Sequence, residues 1–232
     1  MTSHARMRAA IVETQNGPFR IVDVARPEPA KGEVLVRIQA SGVNPLDTKI
    51  RAGAAAHARH PMPAILGLDL AGAVAAVGEG VTGFRVGDEV FGLTGGGGGH
   101  QGSLAEFAAV DARLLAPKPS NISMREAAAI PLVFITAWEG LVDRAHVGAG
   151  ERVLVQGGAG GVGHMAVQIA RAFGAEVFAA RGATTSALSG QRRSISKRKP
   201  STAMSRATPP ERDLTSSTIP AAEKSWMHRL RR

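Results

Sequence analysis

Residues 153–163 have the sequence VLVQGGAGGVG, in which a short apolar run passes directly into a glycine-rich segment. The apolar run has the composition of a buried strand. Helical spacing of apolar side chains follows, at Val162, Met165, Ala166, Ile169, Ala170 and Phe173. Gly174 is a suitable residue to end this helix, and residues 176–179 begin a second apolar strand. The segment therefore predicts a β-turn-α-turn-β unit.

The glycine-rich segment also matches a specific pattern. Residues 158–163 satisfy G-x-G-x-x-G between a strand and a helix, which is the context in which this pattern is informative. We expect Gly158 to permit a tight turn, Gly160 to let a pyrophosphate approach the backbone, and Gly163 to let the helix pack closely. The phosphates would meet free N–H groups at the positive end of the helix. The pattern predicts a dinucleotide site; the alternative is an ordinary flexible glycine loop.

The second strand of such a unit usually ends in an acidic residue that binds the ribose. Here the strand is followed by Ala180, Arg181 and Gly182. An arginine at this point favours NADP over NAD, because it can accommodate a 2′-phosphate.

Residues 7–121 have a different pattern, with short strands separated by glycine turns. Strands are predicted at residues 7–12, 32–38 and 71–78, and residues 83–91 place a turn before a further strand. Frequent turns between short strands are typical of a small barrel.

A helix is predicted between these two regions. Ser123 and Glu126 have the spacing of a capping box, and an apolar run follows them. The helix should run from Met124 through the 130s, with Pro131 kinking or dividing it.

Composition excludes several classes of protein. The chain of 232 residues is 44% apolar, and its apolar runs are too short for a membrane span. The N-terminus lacks a secretory signal pattern. There is no cysteine, which excludes disulfides and cysteine-ligated zinc and fits a reducing cytoplasm.

The charge is distributed unevenly along the chain. Residues 1–180 carry 16 basic and 16 acidic side chains, whereas residues 181–232 carry 12 and 3, so the second region holds the whole net charge of +9. The second region is also rich in Ser, Thr and Pro and is predicted to be disordered. We therefore predict three parts: a β-rich domain at 1–122, the start of an α/β domain at 123–180, and a basic tail at 181–232.

Four motifs resemble those of one enzyme family. They are VQGGAGGVG at 155–163, GVNPLD at 42–47, the glycine- and valine-rich stretch at 63–88, and the TAW segment that begins at Thr136. Their order and sequence resemble the zinc-independent medium-chain dehydrogenases/reductases of the quinone oxidoreductase type.

The resemblance implies a GroES-like barrel followed by an incomplete Rossmann domain, with NADPH in the cleft between the two. It places Asn44 and Asp47 near the nicotinamide and the substrate, as the catalytic candidates. It assigns cofactor binding to Thr136, Gly158, Ala159, Gly160, Gly161, Val162 and Gly163. The residues alone leave simpler roles open: a turn residue for Asn44, a helix N-terminal acid for Asp47 and a packed helix residue for Thr136.

The resemblance also predicts that no metal is bound. Zinc-dependent relatives have a cysteine where this chain has Asn44 and a histidine where it has Leu68. The histidines of the chain fall in no ligand spacing; they are His4, His57, His60, His100, His146, His164 and His228.

The implied reaction is hydride transfer from NADPH to a small-molecule quinone or enone. The cofactor supplies the chemistry and the protein supplies orientation. No general acid is evident, and water can protonate a quinone product. The family resemblance implies a homodimer without a membrane partner, although the dimerising part is expected to be absent from this chain.

The change of character near residue 180 suggests a one-base frame shift. The neighbouring reading frame over residues 208–232 can encode GFDIVYDTGGGKVL, which resembles the family sequence expected there. On this hypothesis the chain is truncated and weakly active or inactive. Two alternatives remain: a non-functional product, or a non-enzymatic protein whose basic tail binds nucleic acid, which the single aromatic residue of the tail makes less favourable. The coding DNA around residue 180 would test the hypothesis.

Overall fold

The computed structural model of the protein describes residues 5–94 and 98–180, and these fall into two compact units. The first unit ends at Leu132 and the second begins at Val133. The division near residue 122 that the sequence suggested stays a prediction. The predictions made for residues 181–232 lie outside the described residues.

The first unit contains most of the strands. They are β1 (Arg6–Val12), β2 (Phe19–Ala25), β3 (Glu33–Ser41), β4 (Ala64–Ile65), β5 (Asp69–Val77), β6 (Glu89–Leu93), β7 (Phe107–Asp111) and β8 (Leu115–Pro117). Its helices are α1 (Pro45–Arg51) and α2 (Met124–Ala128), with 3₁₀ turns at Ala56–Ala58 and Ala112–Leu114. Helix α3 (Pro131–Trp138) begins in the first unit and continues into the second.

Two antiparallel sheets build the first unit. The larger has the strand order β7-β3-β5-β6-β8, and the smaller has the order β2-β1-β4. Alternate residues of the larger sheet, such as Val34, Val36, Leu70 and Val90, are fully buried in one apolar cluster, as expected for strands with one face on a core. The β-rich first domain and its predicted strands are confirmed.

A second apolar cluster lies between the smaller sheet and α1. It contains Val12 of β1, Ile50 of α1, and Leu66 and Leu68 of the loop between β4 and β5. This cluster matters for the site, because it buries one face of α1 and holds the loop that precedes β5.

The second unit contains β9 (Arg152–Gln156), α4 (Gly161–Ala172) and β10 (Glu176–Ala180), together with a π-helical segment at Glu139–Arg144. Strands β9 and β10 pair in parallel, with Val153 opposite Val177. Ala166 and Ile169 on α4 pack against Val155 of β9. The predicted β-turn-α-turn-β unit is confirmed.

The helix predicted from Met124 is divided at the proline. Ser123 and Glu126 form the expected capping box at the start of α2, and α2 ends before Ala129. Pro131 then occupies the beginning of α3. Proline has no N–H to donate within a helix but suits the first helical turn, so it starts the second helix.

Within the described part of the chain, no helix is both long enough and apolar enough to cross a membrane.

Candidate functional site

The turn between β3 and α1 carries the two predicted catalytic residues, Asn44 and Asp47. Asn44 is the N-cap of α1 and has an extended backbone conformation, and Pro45 follows it as the first residue of the helix. The Asn44 backbone N–H donates a hydrogen bond of 2.7 Å to Oδ2 of Asp47. Both side chains are buried, with 6% and 7% of their surface exposed. The local sequence N-P-x-D favours this arrangement, because Asn caps, Pro starts and Asp supports the first turn of a helix.

Asp69 at the start of β5 joins this turn. The Asn44 side-chain Nδ2 donates a hydrogen bond of 2.9 Å to Oδ2 of Asp69. The Leu132 backbone N–H donates a hydrogen bond of 3.0 Å to Oδ1 of the same carboxylate. Asp69 therefore connects the turn before α1 with the first turn of α3, which is a feature that the sequence argument did not single out.

The two carboxyl groups of this site have perturbed acidities. Burial raises the pKa of Asp69 to about 6, against the lowering effect of the hydrogen bonds from Asn44 and Leu132. Burial also raises the pKa of Asp47, while hydrogen bonding to Asn44 opposes it. The charge of Asp47 raises the pKa of Asp69 further. Carboxyl groups with raised pKa values inside a polar cluster are a recognised mark of functional sites.

Gly42 allows this turn to sit close to its neighbours. A Cβ atom at Gly42 would lie 2.3 Å from the carbonyl oxygen of Ala128 and 2.8 Å from Cβ of Asp69. Only glycine leaves room for the end of α2 and for Asp69 at this position. The G-V-N-x-x-D motif is therefore explained by packing as well as by hydrogen bonding.

A second group of polar contacts holds the loop before β5. Oγ of Ser41 and Oγ of Ser103 are 2.6 Å apart. The Thr94 hydroxyl donates a hydrogen bond of 3.0 Å to the carbonyl oxygen of Gly67, and the Ser103 backbone N–H donates one of 3.0 Å to the same oxygen.

The buried polar residues of the described chain thus concentrate around one loop. They are Asn44, Asp47, Asp69, Thr94 and Ser103. Each is a direct or one-step neighbour of residues 67–69 through the contacts above. Burying a polar group is costly unless it is hydrogen-bonded. A concentration of buried polar side chains therefore marks this loop as the candidate functional site of the first unit.

Leu68 lies in this loop but contributes to the core. Its side chain is 3% exposed and belongs to the apolar cluster that contains Val12 and Ile50. Among the described residues there is no group of three or more His, Cys, Asp or Glu side chains placed to hold a metal ion. His60 instead contacts a backbone oxygen, with Nε2 at 2.8 Å from the carbonyl of His100.

The glycine loop of the second unit lies between β9 and α4, as predicted. Gly157 has a left-handed φ of +70°, whereas no such value occurs at Gly158. The turn closes with a hydrogen bond of 2.9 Å from the Gly160 N–H to the Gly157 oxygen. Gly158 therefore lies inside the turn, and the expectation that it permits the turn stays a prediction. Packing also favours glycine at 158, since a Cβ atom there would lie 2.8 Å from Cβ of Ala179 on β10.

Gly160 and Gly163 differ sharply in their surroundings. Gly160 is the N-cap of α4 with φ −79° and ψ 166°. A Cβ atom added at Gly160 would have the carbonyl oxygen of Gly157 as its nearest neighbour, at 3.4 Å. A Cβ atom at Gly163 would lie only 2.2 Å from that oxygen. The fold itself therefore demands glycine at 163 but not at 160, where an open approach to the backbone is the remaining reason for glycine.

The first turn of α4 offers donors for an anion. The first hydrogen bond of the helix runs from the His164 N–H to the Gly160 oxygen, at 2.7 Å. The N–H groups of Gly161, Val162 and Gly163 precede it and have no acceptor within the helix. The side chains of Ala159 and Val162 are exposed. Open backbone, free N–H donors and the helix dipole together fit a phosphate group.

Thr136 lies on α3 in the second unit. Its side chain is exposed, while the neighbouring Ala137 is buried against Val155 and Ala166. The structure thus brings Asn44 and Asp47 together in the first unit. It brings residues 158–163 together in the second, and it supplies Asp69 as an additional member of the first group.

The signal that would have identified Asp69 is present in the sequence. It is an acidic residue inside the otherwise apolar stretch that forms β5. An unpaired acid in a buried strand calls for hydrogen-bond donors from elsewhere, but the sequence does not reveal that Asn44 and Leu132 provide them.

Comparison with known proteins gives consistent relationships. Residues 30–120 match the family described as the alcohol dehydrogenase GroES-like domain. A 2-methylene-furan-3-one reductase of Solanum lycopersicum is 44% identical over 172 residues, which cover 70% of this chain and 43% of that protein. The quinone oxidoreductase of Homo sapiens is 38% identical over 185 residues, covering 78% and 54% respectively.

Solved structures show the same relationship. An alcohol dehydrogenase superfamily protein from Novosphingobium aromaticivorans is 68% identical with a TM-score of 0.74, covering 76% of this chain and 54% of that one. The quinone oxidoreductase from Coxiella burnetii is 31% identical with a TM-score of 0.67, covering 75% and 56%. The chain spans about half the length of the curated relatives it matches.

Proposed function

We propose that this chain, which belongs to the zinc-independent, quinone oxidoreductase-like medium-chain dehydrogenases/reductases, binds a nicotinamide dinucleotide at residues 157–163. The observation that carries the proposal is the contrast between Gly160 and Gly163. Glycine at 163 is explained by packing against Gly157, but glycine at 160 leaves an open approach to the backbone at the start of α4. That approach suits a pyrophosphate.

The residues of the loop would hold the cofactor in distinct ways. The backbone N–H groups of Gly161, Val162 and Gly163 would donate to the phosphates. Ala159 lies next to Gly160 in the loop, and Thr136 is a further proposed contact for the nicotinamide. We propose NADPH rather than NADH, in line with the name of the NADPH-dependent alkenal/one oxidoreductase of Arabidopsis thaliana, which is 41% identical over 167 residues.

The proposed acceptor is a quinone or an enone. A bound nicotinamide nucleotide supplies the hydride when present. Asn44 and Asp47 would lie against the acceptor: the Asn44 side-chain amide would contact it, and Asp47 holds the turn by accepting a hydrogen bond from the Asn44 backbone N–H. A quinone that gains a hydride and a proton from water becomes a hydroquinone. The quinone and enone names of the relatives support this class of acceptor.

Two measurements on the full chain test the proposal. NADPH fluorescence should change on binding, and absorbance at the reduced nicotinamide band should fall when 1,4-benzoquinone and an enone such as but-3-en-2-one are supplied separately. NADH in place of NADPH tests the cofactor preference. Absence of any nicotinamide binding would contradict the proposal, while binding without turnover would leave only the cofactor site.

A further inference from the structure

We infer that Asp69, in its ionised form, is a positioning residue that determines which end of the Asn44 amide faces the reacting groups. The inference rests on the proposed function, because Asn44 is taken to contact the acceptor. The geometry on which it is based, however, is independent of that function. Asp69 acts through Asn44.

The argument begins with hydrogen-bond chemistry. An ionised carboxylate can only accept hydrogen bonds, whereas an asparagine amide has a donating and an accepting end. Because Oδ2 of Asp69 lies 2.9 Å from the Asn44 side chain, only the Nδ2 end of the amide can face it favourably. The accepting Oδ1 end is therefore held away from Asp69. A neutral Asp69 could donate or accept, and the two orientations of the amide would then be closer in energy.

Asp69 itself is firmly held. Its side chain is 1% exposed, and its second oxygen accepts the N–H of Leu132 at 3.0 Å. Leu93 is the residue opposite Asp69 on β6. Among the described residues, Asp69 forms no ion pair within 4.0 Å. Asp47, on α1, is the charged group that acts on it.

The absence of a cationic neighbour has a consequence for acidity. Burial raises the pKa of Asp69 to about 6, so its charge changes just below neutral pH. The orientation of the Asn44 amide should therefore depend on pH in the same range. The hydrogen bond between Nδ2 of Asn44 and Oδ2 of Asp69 carries this titration to the amide.

The substitution Asp69→Asn isolates the effect. Leu132 still needs an acceptor, so the new amide must turn its oxygen to Leu132 and its NH₂ to Asn44. Asn44 can then keep a hydrogen bond only by reversing its own amide. The variant retains both hydrogen bonds at position 69 but inverts the Asn44 amide, whose side chain accepts the Asp47 backbone N–H in the capping box of α1. The control is Asp88→Asn, at an exposed aspartate that accepts one backbone N–H from Arg85.

The first readout does not require activity. Side-chain amide signals of Asn44, identified by their loss in Asn44→Ala, should shift in ¹H–¹⁵N spectra of the full chain with a midpoint near pH 6. The exposed Asn16 is the internal reference. In Asp69→Asn the transition near pH 6 should be lost, and in Asp47→Asn it should persist with a lower midpoint. A shift that remains in Asp69→Asn at another pH belongs to Asp47, which is also hydrogen-bonded to Asn44. An Asn44 signal that does not titrate, or titrates equally in Asp69→Asn, overturns the inference.

The second readout is kinetic. With NADPH and 1,4-benzoquinone, Asp69→Asn should lower kcat about tenfold while the NADPH Kd stays within about twofold. The wild-type kcat should fall towards that of the variant below about pH 6, and Asp88→Asn should behave as wild type. If the wild type turns over and Asp69→Asn leaves kcat unchanged, the inference is wrong and the proposed function stands. If the wild type neither binds NADPH nor turns over, the proposed function fails. The amide titration then still decides whether Asp69 sets the orientation of the Asn44 amide.

Discussion

The glycine loop permits a sharp prediction, because one substitution has opposite consequences at two of its positions. Serine adds the same Cβ and hydroxyl at Gly160 and at Gly163. At Gly160 the backbone has φ −79° and ψ 166°, which any residue can adopt, and the residue is an N-cap. Serine is among the best N-cap residues. The fold should therefore accept Gly160→Ser with a change in unfolding free energy within about 0.5 kcal/mol.

At Gly163 the same atoms meet the backbone. The Cβ would lie 2.2 Å from the Gly157 oxygen and 2.8 Å from Cα of Gly158. Normal contact requires the loop and the helix to separate by about 1 Å, and such overpacking costs about 1–3 kcal/mol. The better helix propensity of serine over glycine offsets roughly 0.5 kcal/mol of that. We expect a net loss of about 1–2 kcal/mol for Gly163→Ser.

The two variants should separate stability from binding. Chemical denaturation should show Gly163→Ser unfolding at lower denaturant than wild type, with Gly160→Ser unchanged. NADPH titration should show at least a tenfold weaker Kd for Gly160→Ser, equivalent to about 1.4 kcal/mol. Wild-type affinity in Gly160→Ser would refute the phosphate site. Wild-type stability in Gly163→Ser would refute the packing argument, whether or not the cofactor binds.

Further predictions concern the first unit and its helix cap. Ser123→Ala should destabilise the fold by about 1 kcal/mol in denaturation, because it removes the N-cap of α2; Ser123→Asp, which keeps a capping oxygen, should retain wild-type stability. The folded-state pKa of Asp69 is raised to about 6, so between about pH 4 and pH 6 the folded state keeps a proton that the unfolded state has lost. The free energy of unfolding should therefore fall by up to roughly 3 kcal/mol as the pH rises through this window. If the same pH dependence persists in Asp69→Asn, another group causes it. Gly67→Ala should be strongly destabilising, because Gly67 has φ +104° and an added Cβ would lie 2.4 Å from Oγ of Ser103, and Ser103→Ala should restore only part of the loss; full restoration would mean that the backbone strain is small. Elemental analysis of the purified chain should find no stoichiometric zinc, because Asn44 and Leu68 occupy the positions of the zinc ligands; a one-to-one content would contradict the prediction that no metal is bound.

The sequence predicts the second unit almost completely, because the features that define it are local. The strand, the loop and the helix follow one another within residues 152–180, and the glycine pattern predicts their order. What the sequence does not show is that Gly157 takes the left-handed φ of this turn and that Gly158 packs against β10. The contact of Gly158 with Ala179 joins two positions that are not neighbours in the sequence, so no local pattern reveals it.

The sequence predicts the site of the first unit less completely, because the contacts that form this site are not local. The strands of the unit and the motif containing Asn44 and Asp47 are visible in the sequence, but the partner of Asn44 is 25 residues away on β5. The other hydrogen-bond donor to Asp69, the Leu132 N–H, is 63 residues away in the sequence. No periodicity connects positions so far apart. The only trace is an aspartate in an apolar strand, which shows that donors must exist without showing which residues supply them.

Asp69 also explains why an asparagine can stand where zinc-dependent relatives have a cysteine. The sequence comparison defines Asn44 by what is missing, a metal ligand, whereas the structure gives it a hydrogen bond to a buried carboxylate. A buried carboxylate without a cation is costly, and its two N–H donors meet that cost only in part, since its pKa is still raised to about 6. Leucine at 69 would remove the buried charge but would leave the Asn44 amide and the Leu132 N–H without their acceptor. The raised pKa of this carboxyl group shows that its burial beside Asn44 and Asp47 is not fully compensated, and this supports the inference that the cluster orients Asn44.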